Sequence, residues 1–110
     1  NLTAIIDRNG IQISGTTEQV LPLEPLKEKL IAFGWYVFEV DGHSHDQLQQ
    51  CLHDAAQIHD RPSVIIAHTI PGKGVSFMEG KFEWHGEPPT QEQVRVALAE
   101  LHDQLEALSC

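Results

Sequence analysis

The sequence predicts an α/β fold, a three-layer arrangement in which a parallel sheet of about three strands is flanked by helices. Two observations carry this expectation. Short apolar, β-branched runs alternate with stretches of helical period, and Val64-Ile65-Ile66 lacks the polar alternation of a strand with one wet face.

Leu2 to Ile6 reads as the first strand, stopped by the turn residues Asp7-Arg8-Asn9-Gly10. A helix is expected from about Pro25 to Phe33, with proline near its first position, Leu26, Leu30 and Phe33 on one face, and Gly34 ending it. Trp35 to Val40 reads as a second strand, ending at Asp41-Gly42. Asp46 is placed to cap a helix with Leu48, Leu52 and Ala55 on its inner face, broken at Asp60-Arg61-Pro62. Ser63 to Ala67 is the third strand. Pro71 to Pro89 holds four of the eight glycines and no helical period, so it reads as a long loop and the expected seat of site chemistry. Thr90 with Gln93 forms a capping box, and Val94, Ala97, Leu98, Leu101, Leu105 and Leu108 give the last helix one apolar stripe, read as core. In a doubly wound arrangement the loops after the three strands share one edge. They carry Asn9, His43 and Lys73, and the third also brings His85.

With 110 residues, 41% of them hydrophobic, one compact domain with a modest core is expected. The formal charge of −9 opposes phosphate backbones and anionic lipid, so neither nucleic acid nor a membrane is an expected partner. Cys51 and Cys110 lack the spacing of a redox or metal motif, which fits a soluble cytoplasmic protein. The chain opens at Asn1, directly in an apolar run, and is expected to be cut from something longer. Gly72-Lys73-Gly74 lacks the full spacing of a phosphate loop and opens no helix. His43, His45 and His53 invite a zinc reading, but structural zinc favours cysteine and tighter spacing; His43 reads as a loop-packing residue.

The stretch from Asn1 through Asp7-Arg8-Asn9-Gly10-Ile11-Gln12-Ile13-Ser14-Gly15 resembles the metal-binding strand and loop of transketolases, especially the separate amino-terminal subunit of split transketolases. Pro22 to Leu26, Ala32 to Trp35, Val40 to His43, Val64 to Thr69, Gly72 to Glu79 and Trp84-His85-Gly86 follow that family in order, over roughly residues 1 to 95. The resemblance implies a thiamine diphosphate and magnesium site. In it the Asn9 amide oxygen and the Ile11 carbonyl serve magnesium, Ile13 packs against the cofactor rings, and His85 lies near the diphosphate and the donor substrate as a catalytic group. Extended alternation would set Asn9, Ile11 and Ile13 on one side. Two positions depart from the family: Ser14 replaces a usual aspartate, and Pro71 replaces a frequent lysine, removing a cationic contact and a backbone donor.

The family's Gly-Asp-Gly segment, with its magnesium carboxylate, and its pyrimidine-binding domain precede or lie outside the matching stretch. The expectation is therefore the carboxyl-terminal half of a diphosphate-binding domain, residues 1–110. It would be a partial transketolase for two-carbon ketol transfer between sugar phosphates, inactive alone and weak in cofactor binding. It is expected to form a homo-oligomer and to be completed by a chain supplying the missing segments. The alternatives are a binding module that complements another chain and a non-catalytic remnant used for assembly.

Overall fold

The computed structural model describes residues 2–108; Asn1, Ser109 and Cys110 lie outside them. In chain order the elements are β1 (Thr3–Arg8), β2 (Ile11–Gln12), β3 (Gly15–Thr16), α1 (Thr17–Val20), α2 (Leu26–Ala32), β4 (Tyr36–Asp41), α3 (His45–Ala56), β5 (Ser63–His68), a 3-10 turn (Phe82–His85) and α4 (Gln91–Leu108). They fall into two compact units. The first holds the chain up to Gly10 with Leu21–Thr69, and the second Ile11–Val20 with the chain from Ile70 onward.

The first unit is a three-stranded parallel sheet in the order β1-β5-β4. Its central strand is the one with the unbroken apolar run: Ser63 through Ala67 are all buried, and Ile65 is fully so. Pleating sends Phe38, Val40 and Ile65 to one face, where Cys51 and Ala55 of α3 cover them. The opposite face carries Glu39, which α2 meets through Lys27 at 2.7 Å. Helices therefore flank the sheet on both sides, as an apolar central strand requires.

Several boundaries differ from the sequence reading. Ser44, not Asp46, caps α3: its hydroxyl accepts the Gln47 N–H at 3.3 Å. With that start, Cys51 and Ala55 form the buried i,i+4 pair, while Leu52 sits a rotation away and is exposed. Helix α2 stops at Ala32, where the left-handed Gly34 (φ +86°) reverses the chain, so Phe33 leaves the Leu26–Leu30 face and is 80% exposed.

The second unit is built around a loop and a helix. Residues Ile70 to Lys81 fold back on themselves, with the Gly80 N–H donating to the Pro71 carbonyl at 2.9 Å and the Met78 and Glu79 N–H groups both reaching the Val75 carbonyl. Thr90 and Gln93 cap α4 reciprocally, at 2.8 and 3.3 Å. The α4 stripe, however, is no core: Val94, Leu98, Leu101, Leu105 and Leu108 are all exposed. A helical apolar period reports a face that gains by being covered, and the described residues cover it only in part. No helix among the described residues is long and apolar enough to cross a membrane.

Candidate functional site

The three strands of the first unit end level, with Arg8, His68 and Asp41 in register, so the turns that follow leave from the same edge. Asn9 stands directly after β1 in a turn anchored from three sides. The Thr69 N–H donates to the Arg8 carbonyl at 3.3 Å, the Thr69 hydroxyl donates to the Asp7 carboxylate, and the Arg8 guanidinium meets Glu24 at 3.0 Å. The bond from the Leu26 N–H and the Arg8 pair hold the Glu24 carboxyl below its ordinary range. At β4 the Asp41 carboxylate accepts the His43 N–H at 2.9 Å, and the Gly42 N–H donates to the His68 carbonyl at 2.8 Å. His43 thus belongs to a hydrogen-bonded turn. Among the described residues, no three His, Cys, Asp or Glu side chains gather as a metal site.

In the second unit Ile11, Gln12, Ile13, Ser14 and His85 line one groove of about 490 Å³. Its wall is a feature absent from the sequence reading, a β2-β3 hairpin with Ile11 opposite Thr16 and Gln12 opposite Gly15. The chain is not one extended segment from Asn9 to Ile13, as simple alternation requires: it turns at Gly10 (φ +75°) and again at Ile13-Ser14. Ile11 and Ile13 reach the same groove because the hairpin folds back. Gln19 closes the hairpin by accepting from the Thr16 hydroxyl at 3.0 Å, a Thr-x-x-Gln spacing that is visible in the sequence.

His85 ends the 3-10 turn and is exposed. Beside it, the Trp84 indole N–H donates to the Phe77 carbonyl at 3.0 Å, and the two rings meet edge-on at 5.3 Å. Lys81 donates to the same carbonyl at 2.9 Å. Ile13 is 76% exposed, an apolar side chain held at the mouth of a groove beside an imidazole and a hydroxyl. Such a surface suits a partly apolar ligand with polar groups. The structure thus gathers Ile11, Ile13 and His85 in the second unit and sets Asn9 at the strand edge of the first.

A parallel sheet with helices on both faces and its strand-end turns on one edge defines an α/β domain of the doubly wound class. The chain belongs to the transketolase family, matching its thiamine diphosphate binding domain over residues 1–104. It is 44% identical to an apulose-4-phosphate transketolase subunit from Phocaeicola vulgatus, over 98% of this chain and 38% of that protein. It is also 44% identical to the 6-deoxy-6-sulfo-D-fructose transketolase subunit SqwG of a Clostridium species, over 92% and 37% respectively. Solved transketolases from Campylobacter jejuni and Leishmania mexicana each align with a TM-score of 0.81 at 30% identity. They cover 91% and 90% of this chain, which in turn covers 16% and 15% of theirs. The chain thus spans less than two fifths of the curated relatives it matches.

Proposed function

We propose that this chain is the carboxyl-terminal half of a transketolase diphosphate-binding domain and supplies part of a thiamine diphosphate and magnesium site for two-carbon ketol transfer between sugar phosphates. The observation that carries the proposal is the groove that brings Ile11, Ile13 and His85 together in a chain of this family. The donor set fits the groups. Asn9 offers a neutral amide oxygen and Ile11 a backbone carbonyl, both hard ligands of the kind magnesium takes alongside phosphate. Ile11 and Ile13 offer apolar surface to the cofactor rings. His85 offers a ring N–H to a phosphate or a substrate oxygen.

When bound, the cofactor supplies the electron sink for breaking and making the carbon–carbon bond. This chain's residues would orient it, with Ile11 and Ile13 against its rings and the His85 imidazole placed to hydrogen-bond a phosphate or substrate oxygen. Two relatives carry the names of transketolase subunits, which supports a second chain completing the site in an oligomeric assembly. The outer edges of β1 and β4 and the exposed stripe of α4 are surfaces such an assembly would cover.

Calorimetric titration of the 110-residue chain with thiamine diphosphate, magnesium in excess, should show a dissociation constant of roughly millimolar or weaker. A charge of −9 and a ligand set without a carboxylate from the Gly-Asp-Gly segment both disfavour binding. Mixed with a chain supplying the missing segments, wild type should turn over, and His85→Ala should lose about a hundredfold. Full activity of His85→Ala would refute the assignment.

A further inference from the structure

The four-residue 3-10 turn that ends at His85 has no buried residue of its own and is held through Trp84. The fixing comes from outside it, along a continuous line of contacts. Trp84 is bonded to the Phe77 carbonyl, and Phe77 follows Ser76. Both donors of Ser76 end on one carboxylate of α4: its N–H reaches Glu100 at 2.7 Å and its hydroxyl at 2.5 Å. One helical turn further on, the Gln104 amide donates to the Gly74 carbonyl at 2.7 Å. Glu79 closes the same turn by accepting the Gly74 N–H at 3.0 Å.

We propose that Glu100 and Gln104 are positioning residues for His85, acting through the Gly74–Phe77 turn and Trp84. The inference rests on the reading of His85 as a donor toward the cofactor or substrate. An 18-residue helix is a stiffer support than a loop, and the two bonds to Glu100 are charge-assisted, roughly twice as strong as neutral ones. Without the carboxylate, the Ser76 donors turn to solvent and the acceptor that holds Trp84 moves with them. His85 then samples more orientations, and a ligand entering the groove must order it on binding.

Hydrogen exchange of the Trp84 indole N–H in the 110-residue chain tests this without any ligand. Glu100→Ala and Ser76→Ala should each accelerate it by about tenfold or more, while the β5 amides stay unchanged. Glu106→Gln on the same helix should change neither, and Glu100→Gln, which keeps an acceptor oxygen, should recover part of the protection. Should Glu100→Ala fail to fold, Gln104→Ala probes the same line. Unchanged Trp84 exchange, or acceleration only in step with β5, overturns the proposal. In the reconstituted assembly the same variants should weaken thiamine diphosphate binding along with His85→Ala. If wild type binds no cofactor there, the reading of His85 falls, while the exchange series still decides whether α4 holds Trp84.

Discussion

Replacing Gly74 by alanine separates two costs that the structure makes additive. Gly74 has a φ of +90°, a left-handed conformation that costs an L-residue about 1 to 2 kcal/mol. A Cβ there would lie 2.9 Å from the Gln104 Oε1 and 3.2 Å from the Leu101 Cδ2. The Gln104 amide is the end of a flexible side chain and can swing aside, but swinging aside breaks its 2.7 Å bond to the Gly74 carbonyl. That loss adds about 1 kcal/mol, for a total of about 2 to 3 kcal/mol. Gly34, at φ +86° with open space around its position, should cost only the conformational part. In urea unfolding followed by fluorescence, with a slope of about 1.5 kcal/mol per molar for a chain of this size, Gly74→Ala should lower the midpoint by about 1 to 2 M. If Gly74→Ala were no worse than Gly34→Ala, the contact between this loop and α4 would contribute nothing and the reasoning would fail.

Three further outcomes follow from the geometry. Ile65→Ala, at the fully buried centre of the middle strand, should cost about 2 to 5 kcal/mol by thermal or urea unfolding, and a value under about 1 kcal/mol would mean the sheet is not the core. Ser44→Ala removes the cap of α3 and should cost about 1 kcal/mol, whereas Asp46→Ala should cost less; the reverse order in unfolding midpoints would contradict the assigned cap. The Ser76 hydroxyl and N–H hold the Glu100 carboxyl below its ordinary value, so its contribution is present above about pH 4.5 and is lost as pH falls through the lower, folded value. Acid titration of stability should therefore show a limb below about pH 4.5 that Glu100→Gln flattens, and an identical profile in that variant would count against the bond.

Periodicity, turn residues and ordered motifs are local, so the α/β class, the parallel sheet, the capping box of α4 and the family could all be read along the chain. The roles proposed for Asn9, Ile11, Ile13 and His85 rest on resemblance, since topology puts Asn9 and His85 on loops but a turn asparagine or an exposed isoleucine carries no local mark of a ligand role. Packing in three dimensions supplied the rest. It chose Cys51 over Leu52 for the core, because the direction of a helix face depends on which strands it meets. It folded Ile11–Thr16 into the hairpin that puts Ile13 and His85 on one groove, where Ser14-Gly15 marks a turn along the chain but not the pairing of its flanks. It also joined Ser76 to Glu100 across 24 residues, a bond that exists only because the loop packs on α4, and spacing along a chain cannot encode such a meeting.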